Sequence, residues 1–385
     1  ADAAHPGSPR PRRPWLDPLP ARVTVSELAS AAGRGGAHPV PTAADWGDVL
    51  LGLSDEPDRQ RREVAVWRPA VDGHLLVLGA PGSGRSALLA AVAEQAVARF
   101  GEHAVVRLSG PRSAVWDGLL ASGGHDPTPG GDVGSQRLIV IDDLDGLFHG
   151  WPEEYRHAGV SALESMLRTG LRRGVTVVAS ATRLIGFGQA VRDGFGSSAL
   201  LRHPTRADLV HAGGDATMFR IGDPPGAGQW HALRTQFAHA RPPAPATRPG
   251  MPILSLDVAD PVAVVAASTR STAAAVAALR PDADTILLAP GSDAAARAAA
   301  ALASAESRPR IVVVGDADAW AANWALAASM RDQAAVVVRG GLLEYRSLAR
   351  TRELPPLLDD GDLQCWMTPP GGAVGRARWP SGEFD

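Results

Sequence analysis

Apolar and polar positions alternate between two patterns along this chain. HLLVLGA (His74–Ala80), HAVVRLSG, RLIVIDDLDGL (Arg137–Leu147) and VTVVASATR (Val175–Arg183) open on short apolar runs, which predicts buried strands. Between them lie longer stretches of helical character: the Ala/Leu-rich Ser86–Phe100, then SAVWDGLLAS and SALESMLRTGLRRG. This repeated βαβ order predicts a parallel sheet with helices on both faces. Upstream, DVLLGLSDEP and EVAVWRP read as two strands around a turn. ARVTVSELA reads as a short strand and a helix start, and RGGAHPVPTAADWGD as a loop. The Pro-rich HARPPAPATRPGMP (His239–Pro252) reads as a linker, after which the rhythm restarts. VAVVAA leads to STRSTAAAVAAL, and TILLAP to SDAAARAAAALASA; RIVVVGDADAW, AAVVVRGG and LLEYRSLARTR follow. This is a repeat of architecture rather than of letters. The expected organisation is a flexible Pro/Arg-rich linker over 1–20, with a docking segment at Pro14–Pro20, and a first α/β module over 21–240. A linker over 241–252 and a shorter second module over 253–385 complete it.

Composition narrows the function classes only slightly. The net charge of -3 marks no global nucleic-acid binder, although a local basic groove remains compatible with it. All 38 basic residues are arginine, so arginine at any one position is first read as compositional drift. The single cysteine, Cys365, excludes an intramolecular disulfide and argues against a Cys-based zinc site. No apolar run approaches the ~20 residues of a membrane helix. The opening ADAAHPGSPRPRRPW lacks both Met and a signal-peptide core, and reads as linker. The expectation is a cytoplasmic piece of a longer protein, with any membrane tether lying upstream.

The chemistry concentrates in GAPGSGRS, Gly79–Ser86, between a strand and a helix. Glycines let successive backbone N–H groups wrap phosphate oxygens at a helix N-terminus. Gly79, Ala80, Pro81, Gly82, Ser83, Gly84, Arg85, Ser86 and Ala87 are the candidate nucleotide-binding residues, with the Ser86 hydroxyl directed to Mg²⁺. Arg85 stands where the GxxxxGK[ST] pattern has lysine. A forked guanidinium does not replace a compact ammonium conservatively, so binding through the backbone survives more readily than catalysis. Some fifty residues on, LIVIDD delivers Asp142, a candidate Mg²⁺ ligand acting through water, and Asp143, the candidate base. Asp145 reads as a solvated helix cap. At the tip of the next strand Thr182 or Ser180 is a candidate contact to the γ-phosphate or the attacking water, set against simple strand-end capping.

These motifs, in this order, resemble the ATPase modules of the FtsK/SpoIIIE family, in the form found in type VII secretion ATPases and FHA-linked FtsK-like proteins. PWLDPLPARVTVSEL, LGLSDEPDRQRREVAVW, HLLVLGAPGSGRS, LIVIDDLDGL, VTVVASATR and GDPPGAGQW (Gly222–Trp230) carry the resemblance, well over 14–235 and more loosely after 250. It implies an α/β fold of tandem RecA-like P-loop NTPase modules that bind ATP and Mg²⁺ and move DNA or secreted protein. It implies neighbouring modules as partners, and Arg183 as the arginine after the sensor strand. The departures are Arg85 for lysine, Asp143 for glutamate, and Ala227 for the arginine of a PGRG-like motif. GSSALLRHPT lacks an arginine often found before that strand. The second module has no Gly-rich loop, and it keeps Asp316 in what reads as the place of the first acid. Two functions follow as expectations. One is an ATP-driven motor module with weak or partner-dependent hydrolysis. The other is a catalytically degenerate platform that uses ATP structurally and docks a protein partner.

Overall fold

The structure, a computed structural model, describes residues 16–33, 46–123, 136–184, 186–243, 251–254, 256, 260–304, 309–361 and 363–380. Pro14 and Trp15 of the docking segment, the loop over 34–45 and the centre of the Pro-rich linker at 244–250 lie outside the described residues. The chain divides into two compact units, Ala1–Gly110 with Asp117–Pro245, and Pro111–Trp116 with Ala246–Asp385.

The strands of the first unit are β1 Val49–Glu56, β2 Arg61–Trp67, β3 His74–Leu78, β4 Val105–Leu108, β5 Arg137–Ile141, β6 Val175–Ala181, β7 Phe195–Leu201, β8 Ala227–Trp230 and β9 Leu233–Phe237. Its helices are α1 Val25–Ala32, α2 Pro69–Asp72, α3 Arg85–Phe100, α5 Glu153–Thr169, α6 Gln189–Asp193 and α7 Arg206–His211, with α4 Arg112–Gly123 divided between the two units after Trp116. One nine-stranded sheet runs β2-β1-β9-β8-β7-β3-β6-β5-β4. β7, β3, β6, β5 and β4 are parallel, while β8, β9, β1 and β2 extend the sheet antiparallel. All five residues of β3 are buried, as expected for a strand covered on both faces. Its odd-numbered Leu75 and Val77 pack with Leu138, Val140 and Val178 into the core that receives Leu88, Leu89 and Val92 of α3. At roughly 2 kcal/mol per fully buried Leu or Val, those three residues fix the start of α3 over the C-terminal end of β3.

Local chemistry departs from the expected pattern in two places. Residues 22–24 form no strand; Thr24 instead caps α1, accepting from Glu27 N and donating its own N–H to the Glu27 carboxylate at 2.8 Å. This capping box outweighs the β-propensity of the neighbouring valines. β1 is irregular between Leu50 and Gly52, and α3 repairs the gap. Gln95 accepts from Leu50 N at 2.8 Å and donates to Leu50 O at 2.9 Å.

The second unit comprises β10 Val262–Ala266, β11 Asp284–Leu287, β12 Ile311–Gly315, β13 Ala335–Arg339, β14 Gln364–Thr368 and β15 Gly375–Arg378. Its helices are α8 Thr269–Leu279, α9 Ala294–Ala303, α10 Ala317–Ala322, α11 Trp324–Gln333 and α12 Leu342–Ala349. The sheet order is β11-β12-β10-β13-β14-β15, parallel through β13 and antiparallel beyond it. Both faces of β10 are buried. Val262 and Val264 pack with Val276 of α8, and Ala263 and Val265 with Trp320, Met330 and Leu348 of α10, α11 and α12.

Candidate functional site

β3 ends at Leu78 and α3 begins at Arg85, which leaves six residues to turn the chain. Gly82 and Gly84 take φ of +72° and +104°, a region L-residues rarely adopt. A side chain on Gly84 would bring its Cβ to 2.9 Å from Gly226 N. The loop is tied down from behind: Ala80 N donates to Arg202 O at 2.9 Å, Gly79 N to Ala181 O at 3.3 Å, and Gly226 N to Ser83 O at 2.7 Å. No side chain caps α3, so the N–H groups of its first turn are available to an anion. Ser83 is fully buried, and its hydroxyl has no hydrogen-bond partner. An orphaned hydroxyl, a glycine-lined turn and an uncapped 16-residue helix together fit a polyphosphate. Pro81 and Gly82 are exposed on the loop, and Ser86 is exposed on the first turn of α3.

The sheet order explains how the remaining residues reach this loop. β6 lies between β3 and β5, so the acids at the end of β5 face the loop across the tip of β6. Ser180 spans that gap. Its hydroxyl donates to Asp142 Oδ1 at 2.6 Å and accepts from Asp143 N at 3.0 Å. Asp143 sits in left-handed backbone, φ +62°, which turns its carboxylate toward the loop helix. Arg85 Nη2 lies 3.7 Å from Asp143 Oδ1, and Arg85 Nη1 donates to Thr182 Oγ1 at 2.9 Å. Burial, then the charge of Asp145, pushes the proton affinity of Asp143 up, while Arg85 pulls it down. The two sensor candidates therefore separate: Ser180 holds the acids, and Thr182 holds Arg85.

Asp145 is exposed, as expected of a solvated residue, but its side chain caps no helix. It lies inside the short 3-10 turn Leu144–Gly146, and its carboxylate accepts from Thr182 N at 3.1 and 3.3 Å. The cap reading failed because a strand tip, absent from the local sequence, supplies the donor. Arg183 pairs with Asp208 at 2.6 Å beside a cavity of about 630 Å³ on the Leu76–Leu78 face of β3. Ala87 is half-buried in α3, where its carbonyl accepts from Ala240 N at 3.1 Å. Ala227 is buried at the start of β8. Arg202, passed over in the sequence, reaches Gly82 O at 3.5 Å as well as receiving Ala80 N. Gly226 was likewise legible only as part of a motif, not as the support behind Ser83.

The second unit differs at the same position. Only Ala267 and Ser268 connect β10 to α8, too few to wrap a phosphate. Asp316 does not take the place of the first acid. Its strand β12 lies directly beside β10, where the first unit has β6, and its carboxylate caps α10 by accepting Ala319 N at 2.7 Å. An apolar run ending in aspartate looks the same at either sheet position.

No protein-family model matches the chain, and no curated protein does. Solved structures do resemble it. The cytoplasmic domain of the Thermomonospora curvata type VII secretion ATPase EccC matches at TM-score 0.53 and 14% identity, over 98% of this chain and 65% of that one. ATPases 2 and 3 of T. curvata EccC in complex with a signal sequence peptide match at TM-score 0.49 and 12% identity, over 90% and 95%. ATPases 2 and 3 of Geobacillus thermodenitrificans EssC match at TM-score 0.45 and 11% identity, over 95% and 100%. The first of these likenesses shows the fold alone, two successive α/β units with mainly parallel sheets flanked by helices. The chain spans just under two thirds of that structure's length.

Proposed function

We propose that the first unit binds ATP with Mg²⁺ at Gly79–Ala87 and serves as an FtsK/SpoIIIE-type module of a larger ATPase that moves DNA or a secreted protein. Its hydrolysis is weak until a neighbouring module completes the site. The observation that carries this reading is the glycine turn behind an uncapped α3, with Asp142 and Asp143 held toward it by Ser180.

In this reading the backbone N–H groups of the loop and of the first α3 turn hold the phosphates. Ser86 and Asp142 hold Mg²⁺, which neutralises charge on the phosphates when bound. Ser180 fixes the Asp142 carboxylate, so the ligand is oriented before metal arrives. Asp143, with its raised proton affinity, takes the proton of the attacking water. Arg85 stabilises developing phosphate charge only once it leaves Thr182 and Asp143. An arginine from a neighbouring module supplies the remaining stabilisation. The second unit, with its two-residue turn, contributes no phosphate loop.

ATP turnover by the chain, alone and with neighbouring modules, tests this against an Asp142→Ala control. Turnover above the control supports the motor reading, and equal rates in both settings refute it. The engagement of Arg85 with Thr182 and Asp143 favours a second reading, a platform that keeps ATP as a structural ligand. Tight ATP binding without turnover, followed by turnover in Arg85→Lys, would select that reading and identify Arg85 as its cause.

A further inference from the structure

The six-residue turn leaves the Arg85 side chain at the mouth of the loop, yet that side chain is only 12% exposed. It is held down on two sides. Nη1 donates to Thr182 Oγ1 at 2.9 Å, and Nη2 lies 3.7 Å from Asp143 Oδ1. Neither partner is free to follow it. Thr182 N is bound to Asp145, and Asp143 N to the Ser180 hydroxyl, which also holds Asp142. The chain Asp142–Ser180–Asp143–Arg85–Thr182–Asp145 thus joins the tips of β5 and β6 to the first residue of α3. A lysine ammonium is a point charge that rotates freely between partners. A guanidinium has donors in a fixed fork and must leave both partners to turn its fork on a phosphate.

We infer that Arg85 is a latch, docked on Thr182 and Asp143, which only a nucleoside triphosphate opens. This rests on nucleotide binding at Gly79–Ala87. A diphosphate occupies the backbone cradle and leaves the fork in place. A γ-phosphate lies between the loop and the β5 and β6 tips, and competes with Asp143 for the guanidinium. While the latch is closed Asp143 is paired with Arg85, so the candidate base is released only when a γ-phosphate is present. The latch also lowers apparent triphosphate affinity, because the binding-competent arrangement is a minority of the free protein.

Equilibrium binding tests this without reference to turnover. ATP and ADP, each with Mg²⁺, are titrated calorimetrically into the wild-type chain, Thr182→Val, Arg85→Lys and the double variant. Thr182→Val removes the hydrogen-bond partner of Arg85 at nearly constant shape. It should tighten ATP by about 10-fold if the closed latch is about nine-tenths populated, and should change ADP affinity by less than about 2-fold. In the Arg85→Lys background the same substitution should give no tightening, since no fork remains to be released. Asp143→Asn offers an independent route and should tighten ATP in the Arg85 background only. Equal effects of Thr182→Val in both backgrounds, or weaker ATP binding in the Arg85 background, would overturn the latch while leaving nucleotide binding intact. Absence of ATP and ADP binding in all four proteins would overturn the nucleotide site and the latch with it.

Discussion

His74 opens the strand that carries the phosphate-loop candidate, and its protonation should loosen that strand. The imidazole is buried, with Nδ1 accepting from Val177 N at 3.0 Å and Nε2 donating to Leu167 O at 3.1 Å. Only the neutral ring can accept at one nitrogen while donating at the other. Burial accordingly lowers its pKa from 6.5 to about 4. The unfolded chain takes up the proton first, so this contribution is complete above pH 7.5. It declines as pH falls through 6.5 and levels off below about 4. The same linkage gives a loss of about 2 kcal/mol at pH 5 and about 3 kcal/mol at pH 4. Urea unfolding of the wild type and of His74→Gln, each at pH 7.5 and pH 5, isolates the effect, because all other titrating groups are common to both. The variant starts less stable but should lose about 2 kcal/mol less on acidification. The same loss in both proteins would refute the assignment of a neutral, doubly bonded His74.

Gln95→Ala should destabilise the first unit by about 2 kcal/mol in urea unfolding, because it strips partners from both Leu50 N and Leu50 O at the β1 irregularity. Unchanged stability would mean that water replaces the amide. Asp316→Ala should cost about 1 kcal/mol through loss of the α10 cap. Calorimetry on the same variant should show ATP affinity unchanged; a loss would return Asp316 to the role of a metal ligand.

The parallel core was legible because buried strands on both sheet faces write unbroken apolar runs, and β3 is followed at once by glycines that only a tight turn explains. In the antiparallel extension, β1 and β2 were legible as two strands around a turn, but β8 and β9 were not. The β8–β9 hairpin turns at His231 and Ala232, which hold φ of +45° and +60° without glycine or asparagine. The usual signature of such a turn is therefore missing from the letters. Within the site, residue types pointed to the right strand ends but not to the partners. Ser180 and Thr182 are two residues apart at the tip of β6 and were equivalent in the sequence. Sheet order divides them, placing Ser180 against Asp142 and Thr182 against Arg85. The roles of Asp145 and Asp316 depended on strand neighbours that no local window contains.

The most direct test of the account is the ATP stoichiometry of the whole chain in the presence of Mg²⁺, measured by calorimetry on the wild type and on Gly84→Ala. Gly84 is suited to the task because its φ of +104° and the 2.9 Å approach to Gly226 N both resist a side chain. Circular dichroism confirms that the variant remains folded. One ATP per wild-type chain, and none in the folded variant, is the predicted result. No binding to the wild type, or one ATP per chain in both proteins, would contradict a nucleotide site at Gly79–Ala87.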